Sequence, residues 1–273
     1  MQIGRLDGDA AEFFLAHSPH APLAACVGIS DSSGEPVRIA FEESEAAHVM
    51  IVGRSRAAAL GICTAMLLDL ARQIVTTPDR RGMYTTPPFS ILDLLGTEES
   101  RVFTDAAMSL PLAIKLERAT DTAMTAFTDF DYELTRRQGD PDSPRHAKFL
   151  FLCGLQAAHG IRSRGLYRSP GVNPQAPKFA RLLRRGGAWS LHTIVWCNSF
   201  VNLDLTMADG IGAFGHVVIL DGAGPVPGRL AFADGLPADR ARYVDARRGT
   251  AVPIVPFAVP TDAWCEAAIR SFE

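Results

Sequence analysis

The sequence predicts an α/β protein with a mostly parallel sheet flanked by helices. Three observations carry this. Short uninterrupted apolar runs recur at residues 49–52, 149–153, 194–197 and 217–220, and a run of that length without alternation is how a strand buried on both faces reads. Between several of them lie segments with the 3.6-residue spacing of helices. From His48 onward the two kinds of segment alternate, the order that a parallel sheet with helical crossovers requires.

Two short strands open the chain, over residues 22–29 and 36–41, with Ser32-Ser33-Gly34-Glu35 supplying turn chemistry between them. Val49 to Val52 is a central strand that ends at Gly53. Residues 57–74 then carry a helix, with Leu60, Thr64, Leu67, Leu68 and Ala71 along one side. Residues 89–94 form another strand. A long helix is expected through Leu116 to Arg137, closed by Gly139-Asp140-Pro141. Residues 149–154 are a third buried strand, expected as a parallel neighbour of the one before Gly53. Residues 160–177 are rich in Gly, Pro, Ser and Arg, so they read as a loop or lid. A helix over 177–185, a strand over 192–197 and a strand over 217–221 follow. The tail from Gly228 returns to short strands and turns and ends in a helix near Trp264. No internal repeat and no clean boundary is visible. The reading is one domain over 1–273, with N-terminal strands to residue 45, an α/β core over 46–225 and C-terminal strands and helix over 226–273.

With 47% hydrophobic and 21% charged residues the composition is that of an ordinary globular protein. A formal net charge of -3 gives no global basic field for nucleic acid. No uninterrupted apolar run reaches the ~18 residues that read as a membrane helix, and the first residues lack a signal peptide's apolar core. The five cysteines (Cys26, Cys63, Cys153, Cys197, Cys265) are widely spread and odd in number, which fits buried free thiols in a cytoplasmic protein better than disulfides or a metal site. Cys153 and Cys197 end adjacent strands and read as small buried hydrophobes rather than a redox pair. His48 and His192 stand at strand entrances, where bonding to backbone is the expectation. His17 and His20 form a polar turn with no second ligand pair to complete a metal site.

The stretch from His48 to Gly61 has the spacing of a phosphate-binding loop and little of its chemistry. That loop needs G-x-x-x-x-G-K-[ST]. Gly53 takes the first position, Arg54, Ser55, Arg56 and Ala57 the variable ones, and Ala58, Ala59 and Leu60 stand where glycine, lysine and the hydroxyl belong. Taken alone, Gly53 to Gly61 reads as an ordinary strand–turn–helix connection.

Further anchors give it another context. Gly34-Glu35-Pro36-Val37 and His48-Val49-Met50-Ile51-Val52-Gly53 precede the loop. Phe149-Leu150-Phe151-Leu152-Cys153-Gly154-Leu155-Gln156 follows it. Arg181-Leu182-Leu183-Arg184-Arg185-Gly186 leads to His192-Thr193-Ile194-Val195-Trp196-Cys197-Asn198-Ser199-Phe200-Val201-Asn202-Leu203. In this order the segments resemble the motor domain of the FtsK/SpoIIIE family, RecA-like P-loop ATPases that pump DNA or export protein. They are most similar to a divergent branch with "GLQ" after Walker B. The resemblance runs from about Pro22 to Ala263 and implies a RecA-like P-loop NTPase fold.

It also implies where the catalytic groups should be, and they are missing. A working loop's lysine bridges the β- and γ-phosphates and its hydroxyl takes Mg²⁺. Ala59 supplies no cation, Leu60 no oxygen, and Ala58 adds a Cβ where glycine's freedom is usual. Arg54 and Arg56 could meet an anion without restoring the lysine's geometry. At the Walker B position Cys153 and Gly154 replace the two acids, and a thiol is a poor ligand for Mg²⁺. Gly187 stands where the family has its arginine. Asn198 takes a sensor-like polar position. No cofactor is therefore expected, ATP and Mg²⁺ being the ones that the loop's spacing would have served.

A basic cluster runs from Arg136 to Arg185 with few acids. It reads either as a solvated face balanced by acids elsewhere or as a phosphate-contacting surface, with Arg162, Arg164 and Arg168 the candidate DNA contacts. The expectation is a catalytically inactive structural or regulatory module of a DNA-translocase-like assembly, packed against an active ATPase domain or subunit in a tandem or ring. Two alternatives stay open: an active ATP-dependent DNA translocase with atypical nucleotide contacts, and a DNA-binding or scaffold protein that keeps only the fold.

Overall fold

In the computed structural model ten strands form one sheet in the order β2-β1-β10-β9-β8-β3-β7-β6-β4-β5. The structure describes residues 4, 14, 21–118, 125–158, 161, 175–207, 210–233 and 241–272. Strands β1 (Ala24–Ser30), β2 (Pro36–Ala40), β3 (Val49–Val52), β4 (Phe89–Asp93), β5 (Ile114–Arg118), β6 (Lys148–Cys153), β7 (Leu191–Cys197), β8 (His216–Ile219), β9 (Ala241–Asp245) and β10 (Thr250–Val255) alternate with helices. These are α1 (Arg56–Val75), α2 (Pro78–Met83), α3 (Glu98–Met108), α4 (Thr125–Gly139), α5 (Gln175–Arg185), α6 (Phe200–Thr206) and α7 (Asp262–Arg270).

The six strands β8-β3-β7-β6-β4-β5 are parallel. The N-terminal and C-terminal strands extend the sheet as an antiparallel wing, because β9 pairs β8, β10 pairs β9 and β1 pairs β10. Successive side chains of a strand leave opposite faces. Val49 and Ile51 therefore enter one core with α1, α3 and α7, while Met50 and Val52 enter the other with α4, α5 and α6.

Several expectations need correction. The strands ending at Gly53 and Cys153 are parallel but not neighbours, since β7 lies between β3 and β6. The parallel direction still brings both strand ends to the same edge, and β7 delivers Asn198 between them. The long helix predicted from Leu116 is instead edge strand β5 followed by α4. Ile114-Lys115-Leu116-Glu117-Arg118 alternates apolar and charged, as a half-covered strand does. Helix α3 was not anticipated.

Helix α1 is buried nearly all round rather than on one side, with every residue from Ala58 to Ala71 in the interior. Its 20 residues are long and apolar enough to cross a membrane by length and composition, yet 89% of that window is packed inside the protein. The one acid deep in α1 is partnered: Asp69 Oδ2 accepts from Arg38 Nη1 at 2.6 Å and from the Cys26 backbone N–H at 3.1 Å. Gln73 Oε1 accepts from the Ala24 N–H at 3.1 Å. These side chains clip α1 to the β1–β2 hairpin.

Candidate functional site

The Gly53 turn is shorter than a phosphate loop. Only Gly53, Arg54 and Ser55 separate the end of β3 at Val52 from the start of α1 at Arg56. The helix begins early because Ser55 caps it: its Oγ accepts from the Ala58 N–H at 3.4 Å, and its carbonyl accepts from the Ala59 N–H at 3.0 Å. Ser55 ahead of Arg56-Ala57-Ala58-Ala59 is a helix-start signal readable in the sequence. The Ala58 and Ala59 amides, two of those that a phosphate cradle would present, are thus bonded within the chain. Ala58, Ala59 and Leu60 have 0% exposure, so the positions for glycine, lysine and hydroxyl lie in the core.

Close packing fixes the turn. Gly53 has φ +141°, and a Cβ there would come within 2.6 Å of Leu220 Cβ and 2.8 Å of the Asp221 carbonyl oxygen. The Gly53 N–H donates to the Cys197 carbonyl at 3.0 Å, and the Arg54 N–H to the Asp221 carbonyl at 2.8 Å. Gly61 serves a helix contact, because a Cβ on it would sit 2.3 Å from the Phe257 carbonyl oxygen. Arg54 and Arg56 are exposed, and Arg56 pairs with Glu99 at 3.2 Å.

Cys153, expected at the Walker B position, ends β6 with its side chain buried. The neighbouring Cys63 thiol, then burial, hold the Cys153 thiol well above its ordinary pKa, so it stays neutral rather than thiolate. Gly154 follows with φ +90°, and a Cβ there would approach Leu95 Cδ2 to 2.6 Å. Asn198, just after β7, is occupied by its neighbours: its N–H donates to Gln156 Oε1 at 3.1 Å, and its Oδ1 accepts from Asn202 Nδ2 at 2.7 Å. Gly187 abuts the Ser44 carbonyl, which a Cβ would approach to 2.1 Å, so this position holds no room for an arginine.

The strand-entrance histidines do bond to backbone. His192 Nδ1 lies 2.9 Å from the Ala47 carbonyl oxygen, and His48 Nδ1 accepts from the Thr193 N–H at 3.1 Å. Among the described residues no group of three or more His, Cys, Asp or Glu side chains could hold a metal ion. All five cysteines are free and buried.

Arg162, Arg164, Arg168, His17 and His20 lie outside the described residues. Much of the remaining basic cluster is engaged internally. Arg136 and Arg137 pair with Glu133, Arg181 pairs with Asp131, and Arg145 stacks over Trp189 at 4.5 Å. Lys178 donates to Thr128 Oγ1 at 2.8 Å.

No protein-family profile matches the chain, and no curated protein does. Solved structures do. The cytoplasmic domain of the type VII secretion ATPase EccC from Thermomonospora curvata superposes with a TM-score of 0.60 at 14% identity, over 97% of this chain and 33% of that one. ATPases 2 and 3 of the same EccC, in complex with a signal sequence peptide, give 0.63 at 14% identity over 100% of this chain and 53% of that one. The pCW3 conjugation coupling protein TcpA, solved with ATPγS, gives 0.58 at 11% identity over 91% of this chain and 72% of that one. The chain spans about a third to a half of the EccC chains that it matches. At such identities the likeness is one of architecture. The chain has the RecA-like α/β fold of FtsK/SpoIIIE-type ATPase domains.

Proposed function

We propose that this chain is a non-hydrolysing FtsK/SpoIIIE-like module, structural or regulatory in role, which packs as one domain against an active ATPase domain or subunit in a tandem or ring assembly. One observation carries the reading. The Ala58 and Ala59 amides are bonded to Ser55, and Ala59 and Leu60 are fully buried. Phosphoryl transfer depends on positioning and on charge stabilisation by a cation and a metal, and this turn offers neither a cradle nor the groups to fill it. Tandem organisation is supported by the EccC neighbour, which carries ATPases 2 and 3 in one chain. A cytoplasmic location agrees with the description of the other EccC neighbour as a cytoplasmic domain.

The test is binding and turnover on the purified chain. Fluorescent ATP with Mg²⁺ is expected to give no saturable signal, and phosphate release to stay at background with and without DNA. Magnesium-dependent ATP binding that is lost on Gly53→Val would overturn the proposal in favour of an atypical translocase. A DNA-binding role is less favoured, because most cations of the described basic cluster already hold acids or other acceptors of this chain.

A further inference from the structure

A cleft of ≈ 420 Å³ opens at the edge of the sheet opposite the Gly53 turn, between the first residues of β4 and β6 and helix α4. Two hydrogen-bond donors line it without close partners. Ser90, the second residue of β4, is 7% exposed and makes no side-chain hydrogen bond among the described residues. Lys148, the first residue of β6, has a side chain only 16% exposed, and its ion pair to Glu133 Oε1 is 3.9 Å long, beyond hydrogen-bond reach. That oxygen already accepts from Arg136 Nη2 at 2.9 Å and Arg137 Nε at 2.8 Å. A largely buried ammonium and a largely buried hydroxyl that open onto the cleft without a close acceptor of this chain are donors that a bound acceptor can take in place of water.

The two donors lie on one face of the sheet. Ser90 registers with Leu150, and Lys148 stands two residues before Leu150. Lys115 faces Ser90 from β5, but its ammonium is held by Thr125, by Glu117 at 3.0 Å and by Asp129. The cleft therefore offers one under-bonded cation with one hydroxyl beside it. Its wall is partly aromatic: Phe130 is buried, and Tyr132 is 71% exposed.

We propose that this cleft binds a small monocarboxylate with an aromatic or branched aliphatic body, its carboxylate received by Lys148 and Ser90 and its body laid along Phe130 and Tyr132. The cavity is of small-molecule size. Asp129 and Glu133 line the same cleft, so a phosphate dianion meets two carboxylates with one under-bonded ammonium to offset them. A monocarboxylate matches the single charge and accepts both donors.

The probe is phenylacetate, titrated into the isotope-labelled full chain and followed by amide NMR shifts. Phenylacetamide, the neutral isostere, and phenylphosphate are the comparison arms. Saturable shifts confined to residues 86–90, 128–133 and 148–150 are expected with phenylacetate. Affinity should be weaker by at least about tenfold for phenylacetamide, which loses the charge-assisted hydrogen bond, and for phenylphosphate, whose second charge meets Asp129 and Glu133. Lys148→Met should weaken phenylacetate by about tenfold or more, and Ser90→Ala by severalfold. Ser90→Ala removes only a hydroxyl and carries the test if Lys148→Met fails to fold. No saturable shifts with phenylacetate, equal binding of phenylacetamide or phenylphosphate, or undiminished affinity in Ser90→Ala would each overturn the proposal.

Discussion

The Trp196 indole on β7 donates to the Gly53 carbonyl at 3.0 Å, inside the core. One strand thereby holds the turn that follows its neighbour, and the glycine carbonyl is bonded without any ligand. Trp196 is 1% exposed, so its removal leaves a cavity as well as an orphaned acceptor. Trp196→Phe keeps most of the aromatic volume and drops the donor. It should destabilise the protein by about 1–3 kcal/mol, the cost of one buried unsatisfied group plus lost packing. Urea unfolding with an unchanged m-value would show it, and stability within error of the parent would mean that the indole does not hold the turn.

Rebuilding the consensus should not rebuild the site. In Ala58→Gly/Ala59→Lys/Leu60→Thr the new lysine replaces a side chain of 0% exposure, and the threonine hydroxyl enters the same core. Burial of an unpaired ammonium costs several kcal/mol, so the triple variant is expected to lose stability and gain no Mg²⁺-ATP affinity. A folded triple variant that binds the nucleotide would show that motif chemistry alone was missing and that turn length is immaterial.

This turn marks the limit of what the sequence discloses. The apolar runs placed β3, β4, β6, β7 and β8 well, because strands buried on both faces carry no competing pattern. The Walker spacing counted residues from Gly53 without weighing Ser55, whose cap starts the helix before the cradle could form. The one-sided stripe assigned to α1 failed for a tertiary reason: β1, α3, α7 and the Phe257–Ala258 backbone surround that helix. Strand order is likewise a property of the whole sheet, and no local signal told that β7 would enter between β3 and β6. The charged cleft at Ser90 and Lys148 was invisible because its donors come from two strands about 60 residues apart in a chain whose distant pairings are set by that order.

The Arg38–Asp69 pair joins β2 to the buried helix. Asp69 has a side chain of 0% exposure and takes both the Arg38 guanidinium and the Cys26 N–H. Asp69→Ala leaves the guanidinium, itself 16% exposed, without its carboxylate. Loss of about 3–5 kcal/mol is expected, the usual cost of breaking a buried pair from one side. Replacement of both partners, Arg38→Met with Asp69→Leu, should cost less than Asp69→Ala alone. A double-mutant cycle in urea checks this, and additivity of the two single changes would refute coupling between β2 and α1.

Acid should weaken the fold through three histidines. Burial, with His192 nearby, pushes His48 down to about 3. Burial likewise pushes His192 and His216 down to about 4. Each is neutral in the folded protein at pH 5, whereas in the unfolded chain it titrates near 6.5. The unfolded state then binds more protons, so stability is fully present above about pH 6.5 and falls as the pH drops toward the folded values. Between pH 7 and pH 5 the loss should be on the order of 1–2 kcal/mol per histidine. Glu133 acts in a lower window. Hydrogen bonding from Arg136 leads the causes that bring it to about 2; its contribution is present above about pH 4.5 and lost below it. In His48→Asn the amide oxygen can replace Nδ1 as acceptor from Thr193 while removing the titrating ring. That variant should be less stable at pH 7 yet show a shallower decline to pH 5, by about one proton in the slope of unfolding free energy against pH. A decline as steep as the parent's would assign the acid sensitivity to other groups.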